Sequence, residues 1–213
     1  MKWLTDVGLG LGYDALRLDR TNQQWIDAGS RLRNDIAQQL VSRVASVEQI
    51  GSSSVIGLLA KPIVDLAVGL TAVNHELPPV HELLEATGWT YRSDAIANGG
   101  HVFVLEAKPW HRVAHLHVVD YEGEQWRNYL RLRDLLRQSQ FARARYESVK
   151  WQLTDECGHD RKAYTDGKSI VIGQLIDEAG GVDVESCRSV AVAEPPATVR
   201  TSTPALSNRN ATK

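Results

Sequence analysis

The sequence predicts an α+β fold, and three features point to it. Residues 62–70 alternate with the two-residue period of a strand. Three more short segments between 89 and 120 keep that period, and from Glu124 to Ala179 the period turns helical. Strands grouped ahead of helices mark segregated layers rather than strand–helix alternation. A chain of 213 residues suits one domain of ordinary size.

Taken in order, residues 1–21 carry Gly8, Gly10 and Gly12 and read as an irregular arm. Trp25, Ala28, Leu32, Ile36 and Leu40 recur every three to four residues, one face of an amphipathic helix. Ser46–Ile50 reads as a strand ending at Gly51-Ser52-Ser53-Ser54, and residues 54–60 as a short helix capped by serine. In the strand at 62–70, Pro62, Val64, Leu66 and Val68 face one way while Ile63, Asp65 and Ala67 face the other. A helix from Pro78 to Thr87 stops at Gly88, and strands follow at 89–92, 101–107 and 112–120. The helical stretch after Glu124 breaks near Ser139 and Gly158. From Gly180-Gly181 onward the chain has prolines, Ser and Thr but no period that buries a face. The predicted organisation is therefore the arm, a domain over 22–180 and a disordered tail over 181–213.

Composition narrows the function. The charges nearly balance, 24 Lys+Arg against 26 Asp+Glu, so a dedicated nucleic-acid binder is not expected. No apolar run reaches the roughly 18–20 residues that span a bilayer. The N-terminus lacks a basic region followed by an apolar one, so the expected location is the cytoplasm. Cys157 and Cys187 lie in unlike contexts, which excludes a disulfide framework and a thiolate zinc site. The partner expected is a small molecule, bound by a monomer or homodimer.

Asp65 is the most informative residue. A carboxylate inside an apolar strand is costly unless it faces a solvent-filled or cationic site, or accepts hydrogen bonds from a neighbouring loop. Gly51-Ser52 lies upstream; such a turn is either only a turn or a cradle of N–H groups and a hydroxyl for phosphate. It is no P-loop, because the Gly-Lys-Ser/Thr ending is absent. His115 and His117 project from one face of their strand, suiting metal ligation, acid–base work, phosphate binding or simple bonds to carbonyls. Arg161, Tyr164 and Lys168 share a helix face that continues as Val171, Ile172, Leu175 and Ala179, and Trp126, Leu130, Arg133 and Arg137 share another. These cations either snorkel to water or converge on an anion, a ligand or Asp65 itself.

The run from Val47 through Gly51-Ser52-Ser53-Ser54 to Leu58, followed by Ala60-Lys61-Pro62-Ile63-Val64-Asp65-Leu66, resembles the signature of the GrpB family. So do His115-Leu116-His117, Trp126 with Tyr129-Leu130 and Arg133 through Arg137, and Asp160-Arg161-Lys162-Ala163-Tyr164 with Lys168, across roughly residues 22–178. The resemblance implies a nucleotidyltransferase-like fold, a small mixed sheet backed by helices with a C-terminal helical segment. In the wider superfamily two carboxylates at i and i+2 and a third on a later strand hold Mg²⁺ around a nucleoside triphosphate. Here the i+2 position is Ala67, the later strand offers His115 and His117, and Gln49 stands where relatives often carry histidine.

The implied function is a transferase that moves a nucleotidyl or phosphoryl-type group from a nucleotide or phosphorylated small molecule. Gly51, Ser52 and Ser53 would position phosphate, and Asp65 would bind Mg²⁺ or activate the acceptor. His117, with His115, would act as acid and base. Lys61, Arg133, Arg161, Tyr164 and Lys168 would bind substrate and stabilise charge. The alternatives are a non-catalytic nucleotide- or anion-binding module and an adenylate-forming ligase.

Overall fold

The computed structural model describes residues 1–71, 73–93, 100–157 and 160–181; of residues 73–76, 93, 161, 162, 180 and 181 only the backbone is described. The expected tail, apart from Gly181, lies outside the described residues.

The elements are α1 (Lys2–Asp6), β1 (Leu11–Gly12), β2 (Asp19–Arg20), α2 (Gln23–Gln39), β3 (Ser46–Ile50), β4 (Leu59–Ala60), β5 (Val64–Leu70), α3 (Val73–Ala86), β6 (Trp89–Ser93), β7 (His101–Lys108), β8 (His111–Asp120), α4 (Glu124–Gln138), α5 (Gln140–Cys157) and α6 (Arg161–Gly181). The main sheet runs β3-β5-β8-β7-β6, with β1 added along β8. β5 and β8 are parallel, and the other pairs are antiparallel. The sheet is therefore mixed, in an α+β fold with a C-terminal helical segment.

Alternation along β5 and β8 divides the sheet into two faces. Val64, Leu66, Val68, Ala114, Leu116 and Val118 are sealed in one core with Trp25, Leu32 and Ile36 of α2 and Val80 and Leu84 of α3. The opposite face is only partly covered: Ile50, Ala67 and Val119 pack against Trp126 of α4. A third cluster joins Val55 and Leu58 to α4, α5 and α6 through Leu136, Tyr146, Val171 and Leu175.

Three local expectations are corrected. The first 21 residues are not an irregular arm throughout: Leu4, Leu9 and Leu11 are buried, and β1 and β2 pair with β8 and β4. These pairings are two residues long, too short for a periodicity to announce. Residues 54–60 do not form a helix. A single 3-10 turn, Ser52–Ser54, precedes β4, because Ser54 closes it by bonding from its Oγ to the Gly51 carbonyl, at 2.7 Å. Finally, α3 starts at Val73, ahead of Pro78 and Pro79, which lie inside it. Prolines lack the N–H for a helix interior, so the sequence places a start where the helix only lacks two bonds.

Candidate functional site

The half-open face of the sheet gathers the residues singled out by sequence. Asp65 pairs in register with His115 across the parallel β5–β8 ladder and with Ile50 across β3–β5, and Ala67 pairs with His117. Residues opposite one another share a face, so Asp65, His115 and His117 stand together. His115 Nδ1 lies 3.1 Å from Asp65 Oδ1, and the two side chains keep 24% and 28% of their surface exposed. Water therefore reaches the pair.

The Gly51 turn is fitted to that carboxylate. Gly51 has φ +69°, and a Cβ there would lie 2.7 Å from Asp65 Oδ2, so conformation and space both require glycine. Ser53 Oγ accepts from the Asp65 backbone N–H at 3.3 Å. The sequence-level idea of a turn opening a helix is weakened, since three 3-10 residues carry little dipole; what the turn offers is hydroxyls.

A residue the sequence reading missed completes the turn. Lys150 of α5 is 1% exposed, and its ammonium donates to Ser52 Oγ at 3.2 Å and to the Leu59 carbonyl. Glu147, one turn earlier, accepts from the Leu59 N–H at 2.8 Å, so α5 clamps β4 through both backbone groups. Burial, together with the charges of Lys168 and Lys61, lowers the Lys150 pKa to about 7. The available signal was the buried stripe Ala142, Tyr146, Lys150 at four-residue spacing. A lysine ordinarily reads as solvated, which hid it.

Two further expected cations join this group. Lys61 Nζ sits 4.0 Å from the centre of the Tyr164 ring, a cation–π contact. Lys168 lies in electrostatic reach of Asp65, His117, Lys150 and Tyr164. Tyr164 is 1% exposed and its hydroxyl has no hydrogen-bond partner among the described residues; burial pushes its pKa up to about 12. Tyr146 comes within hydrogen-bonding reach of Ser52, and burial raises its pKa as well.

The titrations follow from these contacts. Burial raises the Asp65 pKa, but the His115 bond and the charges of His115, His117 and Lys168 outweigh it, so the carboxylate stays ionised. Burial takes His117 down to about 4, leaving its ring neutral near pH 7, with Nδ1 3.2 Å from the Tyr129 hydroxyl. Burial lifts Tyr129 to about 12. A ring that is neutral at pH 7 serves poorly as the general acid expected of His117.

Arg133 is not brought into this group. Its guanidinium is tied to Glu48 at 2.8 Å, to Asp134 at 2.7 Å and to the Gln49 carbonyl, which straps α4 to β3. The Arg161 side chain lies outside the described residues. For Mg²⁺ the donor set does not fit. Among the described residues no three His, Cys, Asp or Glu side chains cluster as ligands. Asp65 is bonded to His115, and Glu48, which pairs with Ala67, is held by Arg133. Mg²⁺ asks for several hard oxygens.

Residues 15–178 match the family profile described as GrpB protein. The chain is 35% identical over 179 residues to a UPF0157 protein of Streptomyces coelicolor, covering 83% of this chain and 92% of that one. It is 25% identical to the glutamate-rich protein GrpB of Alkalihalophilus pseudofirmus, over 80% of this chain and 99% of the relative. Among solved structures, the conserved protein GrpB from Enterococcus faecalis overlays with a TM-score of 0.67 at 24% identity, covering 76% of this chain and 96% of that chain. The folds are thus alike.

Proposed function

The chain belongs to the GrpB protein family, and from that premise we propose that its cleft binds the phosphates of a nucleotide or phosphorylated small molecule and transfers a nucleotidyl or phosphoryl-type group from it. The observation that carries this reading is the meeting of Lys150 and Lys168 with Asp65 and the Ser52 hydroxyl, with Lys61 and Glu147 also acting on Lys150. Burial, with Lys168 and Lys61, holds the Lys150 pKa down to about 7, and a phosphate oxyanion beside it favours its ammonium form and accepts its hydrogen bonds. The Tyr164 hydroxyl, without a partner among the described residues, supplies one more donor.

In this reading Ser52 and the lysines hold phosphate and stabilise the charge that grows on the leaving group. Asp65 orients His115 through Nδ1, which leaves Nε2 as the nitrogen that takes the acceptor's proton. The acceptor oxygen then bonds to phosphorus as the bond from phosphorus to the bridging oxygen breaks. His117, neutral and fixed by Tyr129, shapes the cleft instead of donating a proton. A second reading, a non-catalytic nucleotide- or anion-binding module, draws its support from Ala67 and the incomplete metal donor set.

The test is calorimetric titration of ATP, the other nucleoside triphosphates and sugar phosphates, with and without Mg²⁺, followed by an assay for nucleotide consumption. Saturable binding is expected, at least tenfold weaker in Lys150→Met; Asp65→Asn is expected to bind yet lose at least a hundredfold in turnover. Binding without consumption in the unmodified chain selects the second reading. No binding of any phosphorylated compound overturns both.

A further inference from the structure

The turn at Ser52–Ser54 has a second neighbour. Its last residue, with Val55 and Ile56, lines an open-sided hollow of about 310 Å³ that Ile26 of α2 borders and into which Arg137 and Arg143 reach from α4 and α5. That space lies at the small end of the range that holds organic ligands. Arg137 donates to the Ser54 carbonyl at 3.1 Å, with Asp134 3.7 Å away. Arg143 is different: among the described residues its buried Nε has no acceptor and its guanidinium makes no ion pair. Other buried-side arginines nearby are engaged, Arg133 by Glu48 and Asp134 and Arg145 by Glu178.

A guanidinium N–H removed from water without an acceptor is costly. Two guanidinium groups at one hollow form a planar donor set suited to a carboxylate or a phosphate. The rest of the wall, Ile26, Val55 and Ile56, offers only apolar contact, and Ile56 is 52% exposed where an isoleucine gains from being covered. Gln23 places an amide at the rim.

We propose that this hollow is a second binding site, for a small molecule that carries one carboxylate or phosphate on an apolar body. It stands on Arg137, Arg143 and the Ile56 wall, residues that the nucleotide-cleft reading does not use, so either assignment survives the failure of the other. The two sites share the Ser52–Ser54 turn, which gives Ser52 Oγ to Lys150 and the Ser54 carbonyl to Arg137.

The test is ligand-observed NMR and calorimetry on the full chain with benzoate, phenyl phosphate and inorganic phosphate as probes. Benzoate or phenyl phosphate is expected to bind saturably, and whichever binds more tightly identifies the oxyanion. Inorganic phosphate, without an apolar body, is expected to be at least tenfold weaker at this site. Arg143→Met removes no bond made within the described residues, so it is expected to fold, with circular dichroism as the check, and to weaken the bound probe at least tenfold. Arg143→Lys restores the charge without the planar donors and is expected to recover only part of that loss. Lys168→Met, which removes a cation of the other cleft and none of the hollow, is expected to leave the probe's affinity unchanged. Equal affinity in Arg143→Met and the unmodified chain, loss of binding in Lys168→Met, or no saturable binding of either organic probe overturns the proposal.

Discussion

The two faces of the central sheet are made by alternate residues of the same strands, and they treat a polar side chain in opposite ways. On the sealed face, Gln49 is 6% exposed and its Nε2 has no partner among the described residues. Gly29 of α2 admits it: a Cβ there would come within 2.0 Å of that nitrogen. On the half-open face, Asp65 is bonded to His115, accompanied by Lys168 and still wetted by solvent. A polar residue in an apolar strand therefore marks a site when it is both answered by charge and reachable from water; Gln49 meets neither condition and is held by shape.

The largest effects separate the faces. Leu66 is fully buried on the sealed side, so Leu66→Ala is expected to cost about 2–5 kcal/mol in urea melts. Nucleotide affinity in the fraction that stays folded should not change. Asp65→Asn should do the reverse, keeping the fold and losing turnover. A Leu66→Ala chain as stable as the original would break the contrast.

Acid sharpens the contrast through His117. Its folded pKa of about 4 lies below the ordinary 6.5, so between those values the unfolded chain binds more protons and stability falls as pH drops from 6.5 through 4. Asp65 also titrates below its ordinary value, and its contribution is lost lower still, as pH falls through its folded pKa. His117→Gln is expected to flatten the first decline and, because the His117 charge helps depress Asp65, to shrink the second. Urea melts at pH 7, 6, 5 and 4 measure the first and a melt at pH 3 reaches into the second, and an unchanged slope above pH 4 would place His117 outside the desolvated face.

Much of this was readable in advance, for reasons that differ residue by residue. β3, β5 and β8 announce themselves because a two-residue period must hide one face, and the same period exposes Asp65, His115 and His117 as the exceptions. The breaks at Ser139 and near Gly158 are visible because the helical stripe stops there. The strap made by Arg133 is not legible in the sequence because its partner, Glu48, is 85 positions away, and spacing along a helix says nothing about which acid answers a cation. Lys150 was missed for the converse reason: its acceptors are a hydroxyl and a carbonyl from a distant turn, and neither leaves a trace in local pattern. The short pairings of β1 and β2 carry too few residues to show any period.

The smallest expected effect probes whether the two faces communicate at all. Asn22 caps α2 with extended backbone, its Oδ1 accepting from the Trp25 N–H at 3.1 Å, and the Trp25 indole in turn donates to the Val7 carbonyl at 2.9 Å. Asn22→Ala is expected to cost about 1 kcal/mol of stability, and Asn22→Ser to recover most of it. The helix belongs to the sealed layer, so affinity in the Asp65 cleft should stay within twofold. The hollow at Arg143 is another matter, because Gln23 and Ile26 sit in the first turns that the cap holds. Fraying there should weaken a benzoate or phenyl phosphate probe while leaving a nucleotide untouched. An equal loss of both ligands would mean that the layers are mechanically coupled through the Ser52–Ser54 turn, and the faces would then have to be treated as one unit.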